Sequence, residues 1–469
     1  MKLRDKRFRY GMFSTVMMLL AVMLFIIVNL VASGFNITRD LTREQVFTLT
    51  DRSIEFLAEL NSPVTIYYLV PTGHEHVIIS QLLEEYAAAS TYIRVELRDP
   101  TINPVLAHQL AAEARLAGGI PIGSTGSIVV QSATGTVAVT ELDMLPRNAA
   151  GEITSMNFEP SITRAIHNVS QGVPPVVYFV YGSGEIDISI PFIGYLLAEN
   201  FALRSINLVE NHIPDDADIL FITMPSRDWT AAKRDRIEAF LTGGGRAFMA
   251  LNLRNEATPS FDNMLASFGI AVGNFLVLEG DSRQYIDNPS IIIPTQQNHP
   301  ALNNLYHSDF VNILPVTTAL EILDMRRPAT NITPVWTTSF SSFGRHDPNE
   351  TSPERIPSDS DGPFNLALAI TERIGENETQ FIAVSSLTLI SDDVTPFVGE
   401  SNWLFVADSL RWLHGQPSGI FIPRRNPPGM NPLIVPGFQA NIFRAIAMGG
   451  LPAVTLIIGV IVYVKRKNN

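Results

Sequence analysis

Cysteine is absent from all 469 residues. No disulfide can form, and a Cys nucleophile, a Cys-ligated zinc and an acylated lipoprotein Cys are all excluded. Lysine is almost absent as well. Between residues 10 and 464 the only one is Lys233, and every other basic residue in that span is Arg or one of a few His. No Walker A sequence occurs, so the chain lacks the phosphate-binding loop of an ATPase. Charge is missing altogether from Tyr10 to Thr38 and from Ala445 to Val464.

Each of these two uncharged runs is long enough for a membrane-crossing helix of roughly 20 apolar residues. Lys2, Arg4, Lys6, Arg7 and Arg9 precede the first run, and Lys465, Arg466 and Lys467 follow the second. Basic flanks stay on the cytoplasmic side. The expectation is therefore a two-pass protein of the cell membrane, with both termini cytoplasmic and the bulk of the chain extracytoplasmic. The apolar run from Met12 to Val31 exceeds a signal-peptide core of roughly 7–15 residues, which favours a retained anchor over a cleaved leader.

The net charge is −13, but the basic tips carry +4 and +3, leaving −20 on the residues between them. So acidic a body argues against nucleic acid as a partner and against adhesion to anionic lipid. Contact with membrane lipid is expected of the two apolar runs only.

Periodicity divides the chain further. Residues 1–35 form the first tip and span. In 36–172, Thr50 caps a helix. Val64–Val70 reads as a strand, His76–Ser90 as a helix and Ile93–Leu97 as a strand, which together make a βαβ unit of thioredoxin-like kind. Gly126–Gln131 and Gly135–Thr140 read as a hairpin, and Phe158–Ser170 as a helix. Segments 173–285 and 363–415 alternate buried strands (Val176–Tyr181, Asp218–Thr223, Ala247–Leu251) with helices such as Thr230–Leu241. That is the pattern of a doubly wound parallel sheet of flavodoxin-like type. Residues 286–362 read as an irregular insertion, with Arg345–Pro363 a mobile loop. Residues 416–441 read as a Pro-rich linker, and 442–469 as the second span and tip. The fold class expected is α/β between two transmembrane helices.

Few motifs suggest chemistry. Gly182-Ser183-Gly184-Glu185 follows the first strand of the second domain, where Gly-rich turns at strand carboxyl ends present backbone N–H groups to ligands. It lacks the third glycine of a dinucleotide fingerprint, since residue 187 is Asp. The turn is thus a candidate ligand or docking site, with tight-turn geometry as the plainer explanation. Ser183 has no G-x-S-x-G around it. His74-Glu75-His76 lies in a loop, and Asp359-Ser-Asp361-Gly362 lacks the full spacing of a calcium loop. No metal, cofactor or catalytic residue is expected.

The chain resembles the Gld-type auxiliary components of ABC transporters, a family named from a gliding-motility protein. The resemblance runs through Asp40-Leu-Thr-Arg-Glu-Gln-Val-Phe-Thr-Leu-Thr50, Ser62-Pro-Val-Thr-Ile-Tyr67, Leu82-Leu-Glu-Glu-Tyr86 and Val95-Glu-Leu-Arg-Asp-Pro100. It continues in Val177-Tyr-Phe-Val-Tyr-Gly-Ser-Gly-Glu185, Ile213-Pro-Asp-Asp-Ala-Asp-Ile-Leu220 and Leu241-Thr-Gly-Gly-Gly-Arg-Ala-Phe248. It implies a non-catalytic accessory subunit beside an ABC permease and a cytoplasmic ABC ATPase, with a related sister ectodomain subunit as a further partner. It also implies a class I glutamine-amidotransferase-like domain without its catalytic apparatus. Two other functions compete: a free-standing extracytoplasmic sensor, and an envelope hydrolase in which Glu185, Asp187 and Asp281 would converge as buried carboxylates of raised pKa.

Overall fold

The computed structural model describes residues 13, 16–20, 22–27, 46–114, 127–147, 151–153, 155–254, 256–302, 305, 311–375, 377–416, 422 and 425. The chain separates into two compact units, 1–49 and 50–469. In the first, the described residues between 13 and 27 are helical, with Met18 and Phe25 exposed.

The expected two-pass placement in the membrane is not supported. Among the described residues no helix is long and apolar enough to cross a bilayer. The second run, 445–464, lies outside the described residues.

The second unit is α/β with mixed sheets. Its first sheet has strand order β2-β1-β3-β4, with β1 Val64–Leu69, β2 Ile93–Arg98, β3 Ser127–Gln131 and β4 Thr136–Val139. β1 pairs with β2 in parallel, across the helix Val77–Ala89, while β3 runs antiparallel to β1 and β4. The preceding helix Asp51–Glu59 starts where its cap predicts, with Thr50 Oγ1 accepting from the Ser53 N–H.

Among the described residues the larger sheet has ten strands, two of which, Ile270–Val272 and Leu320–Ile322, lie off its main path. Its parallel half runs β6-β5-β7-β8, comprising β5 Val176–Tyr181, β6 Ala202–Asn207, β7 Ile219–Thr223 and β8 Arg246–Ala250. The strand Asn377–Val384 then lies parallel to β8. Beyond it the sheet turns antiparallel, through Asn365–Ile374, Thr330–Thr337 and Thr295–Gln296. The sheet is thus mixed where a parallel one was expected. Part of the stretch read as irregular supplies three of its strands, Thr295–Gln296, Leu320–Ile322 and Thr330–Thr337. The pattern there is masked by Pro334, which removes a ladder donor and sits at a register shift between Pro334 and Trp336.

Both faces of the parallel half are covered, which is why β7 is buried at every position. Ile219 and Phe221 face a core built with Phe192, Trp336 and Phe405. Leu220 and Ile222 face the opposite core, with Ile237, Leu241 and Phe261. Helices Ile190–Ala198 and Ser401–His414 therefore lie on one side, and Ala231–Thr242 and Pro259–Ser267 on the other. A Trp336–Phe405 stack, 3.8 Å between centroids, ties the antiparallel half to the 401–414 helix.

The helix Phe158–Ser170 carries Glu159, which is buried. Its carboxylate accepts from Thr50 N–H (2.6 Å), Thr50 Oγ1 (2.7 Å) and Ser53 Oγ (2.7 Å), and pairs with Arg425. One carboxylate thus fastens both the start and the far end of the described second unit. His167 lies on the same helix. Burial, and then the nearby Arg411 charge, pull its pKa from 6.5 down to about 4. Between those values the unfolded chain binds more protons than the folded one. Stability therefore rises with pH across that window and is lost on acidification, at up to about 1.4 kcal/mol per pH unit. Urea titrations from pH 6.5 to pH 4 should show a shallower loss of stability in His167→Gln than in the parent. Identical slopes would show that His167 does not contribute.

Candidate functional site

The Gly182–Glu185 turn sits at the carboxyl end of β5, the position expected of a ligand-binding loop in a parallel sheet. Its side chains point to internal partners. Glu185 forms an ion pair with Lys233, the two side chains being 1% and 0% exposed. The second Glu185 oxygen accepts from the Ser183 N–H at 2.6 Å. Lys233 Nζ also donates to Ser183 Oγ at 3.2 Å and lies 5.2 Å from the Trp229 ring centroid, a cation–π contact.

Lys233 reaches this position because Thr230 caps the helix Ala231–Thr242, its Oγ1 accepting from the Lys233 N–H at 3.3 Å. The first turn of that helix therefore projects the ammonium beneath the loop. Burial lowers the Lys233 pKa, and the Glu185 carboxylate opposes that shift. The turn is also bonded to the loop after β7. Arg227 N–H donates to Ser183 O (3.0 Å) and Ser226 N–H to Gly184 O (3.3 Å). The carboxyl ends of two neighbouring strands are closed against each other.

Both glycines are required by shape. Gly182 has φ +113° and Gly184 φ +76°. A Cβ on the first would run into Asn207 Oδ1, and on the second into Ser226 Oγ. The four residues singled out from the sequence, Gly182, Ser183, Gly184 and Glu185, are thus brought together, but with Lys233 as the fifth member. In the sequence Lys233 stands out as the one lysine between residues 10 and 464, with nothing to connect it to the turn. Its helical position at the N-terminal end, 48 residues from Glu185, carries no local signal of that pairing.

The other carboxylates proposed for a hydrolase do not form a buried pair with raised pKa. Asp187 is exposed. Asp281 binds Arg283, whose side chain and backbone N–H hold it at about 2. His76 stands at the N-cap position of the 77–89 helix without a side-chain capping bond, and its ring packs on Phe158 at 5.2 Å. Asp359 accepts two bonds from buried Arg345, at 2.7 and 2.9 Å, and Arg345 also bonds the Ser352 and Glu354 carbonyls. The stretch read as a mobile loop is pinned around that pair. Among the described residues no group of three His, Asp or Glu side chains is placed to hold a metal.

Residues 43–139 match a family model described as a domain of unknown function (DUF7088). No curated protein matches the sequence. Among solved structures, the mmIFT52 N-terminal domain is 14% identical, covering 51% of this chain and 96% of that one at a TM-score of 0.37. A putative ThuA-like protein from Parabacteroides merdae is 10% identical, with coverages of 53% and 93% and a TM-score of 0.30. A cold-adapted β-galactosidase from Rahnella is 11% identical, with coverages of 81% and 49% and a TM-score of 0.30. At these TM-scores the overlaps carry no argument about fold or function.

Gly184→Ala is expected to destabilise the protein by about 1–3 kcal/mol, from a strained φ plus the Ser226 clash. Removing the obstructing hydroxyl with Ser226→Ala should recover part of that loss. Urea unfolding measures both. A neutral Gly184→Ala would mean the turn is not held as described.

Proposed function

We propose that this chain is a non-catalytic accessory subunit of an ABC transport system, working beside a permease and an ATPase. Its two α/β parts, one thioredoxin-like and one amidotransferase-like, would serve recognition of substrate or partner proteins. The observation that carries the reading is the sealed Glu185–Lys233 pair. The turn at the carboxyl ends of the parallel strands, where such a fold performs chemistry, has its one buried carboxylate neutralised and its serine hydroxyl hydrogen-bonded. The absence of cysteine removes Cys-dependent amidotransferase chemistry, and with no Walker A sequence in the chain, ATP hydrolysis would fall to a partner. A hydrolase reading finds less support, because the carboxylates it needs are paired with Lys233 or Arg283, or exposed.

The test is affinity isolation of the full chain from its native cells in mild detergent, with quantitative mass spectrometry. Recovery of an ABC ATPase and a multi-span permease in fixed ratio is the expected result. Recovery of the chain alone across several detergents would overturn the proposal.

A further inference from the structure

A cavity of about 620 Å³ opens between β4 and the 158–170 helix on one side and helices 190–198 and 401–414 on the other. Its size falls within the usual range for small-molecule sites, roughly 300–1,000 Å³. Val139, Leu197 and Phe201 contribute an apolar wall. Four of the lining residues are at least nine-tenths buried and carry polar atoms that find no hydrogen-bond partner among the described residues: Asn157 Oδ1, Asn168 Oδ1, Tyr195 Oη and Trp403 Nε1. A single such atom costs about 1–3 kcal/mol, so four around one cavity need an explanation that packing does not supply.

The chemistry of the four is mixed. Asn168 Nδ2 donates to Ala198 O at 2.8 Å, which leaves Oδ1 as the acceptor. Burial pushes the Tyr195 hydroxyl well above its ordinary pKa, so it keeps its proton and can donate. Trp403 Nε1 can only donate. The strongest positive charge at the wall, Arg164, is already met by Glu199 at 2.9 Å, and Glu199 is shared with Arg411. Two carboxylates also line the cavity: Glu400, whose charge acts on Arg164, and Asp143, which accepts from the Thr140 N–H and hydroxyl. The wall thus offers donors, acceptors and apolar surface, with its guanidinium balanced by Glu199 and Glu400.

We propose that this cavity binds an uncharged, hydroxyl-rich small molecule of mono- or disaccharide size. Hydroxyl groups both donate and accept, so one ligand can satisfy the two amide oxygens and the two N–H/O–H donors. The C–H faces of a sugar ring suit the apolar wall. Reaching the buried atoms takes a side-chain adjustment at the wall. The inference does not rest on the transport reading and stands or falls separately from it.

Gly194 provides a clean test. It lines the cavity from the 190–198 helix, and a Cβ built on it meets nothing within 4 Å. Gly194→Leu should therefore fill the space while the fold is kept, since replacing a helical glycine removes backbone freedom from the unfolded chain. Saturation-transfer NMR on the full chain would be run with glucose, galactose, N-acetylglucosamine, maltose and cellobiose, and with glucose 6-phosphate and glucosamine as charged contrasts. The expected result is saturable binding of at least one neutral sugar, weakened by about tenfold or more in Gly194→Leu, or a loss of at least ~1.4 kcal/mol. Thermal melting verifies that the variant is folded. Trp403→Phe, which removes one donor at nearly constant shape, should also weaken binding. The proposal is overturned if no neutral sugar binds, if the charged sugars bind better, or if both variants bind like the parent.

Discussion

Lys233 brings the only ammonium of the chain's interior span into full burial, against Glu185 and beneath the Gly182–Gly184 turn. Removing two opposite charges from water costs several kcal/mol per ion, and the attraction between them offsets this only when geometry and further hydrogen bonds are good. Here Ser183 Oγ, the Ser183 N–H and the Trp229 ring supply those contacts. Much of the sheet's carboxyl edge follows from this pair. It sets the direction of the turn after β5 and holds it to the first turn of the 231–242 helix. A compact ammonium suits the place, because the planar fork of an arginine needs more room and in-plane acceptors. That is a physical reason for a lysine at 233 in a chain that otherwise uses arginine.

The same device recurs at other buried carboxylates. Glu159 takes Arg425, Glu199 takes Arg164 and Arg411, Glu372 takes Arg327, and Asp359 takes Arg345. Each joins segments distant in sequence or pins a loop. The arginines and carboxylates of these pairs nearly cancel, so the net charge of −13 is carried by other residues.

Local patterning made the elements legible where a strand or helix buries a regular face. Phe158–Ser170 and Val176–Tyr181 were read from the sequence at the bounds the structure has, because apolar spacing and flanking breakers decide them. The antiparallel half of the large sheet was hidden, since Pro334 and its bulge break the period of Thr330–Thr337. The candidate turn was visible as glycines after a buried strand. Its closure was not, because Lys233 and the Ser226–Arg227 loop come from elsewhere in the chain and pair only in three dimensions. Reading the apolar runs as membrane crossings rested on their length and basic flanks, and among the described residues no helix is long and apolar enough to cross.

A double-mutant cycle on Lys233→Met and Glu185→Gln, read by urea unfolding at neutral pH, tests the central claim most directly. If the pair closes the turn, each single variant loses about 3–5 kcal/mol by leaving a buried group without its partner. The double variant then loses much less than the sum. Single variants close to the parent, or losses that simply add, would contradict the account and reopen the turn as a site free to bind a ligand.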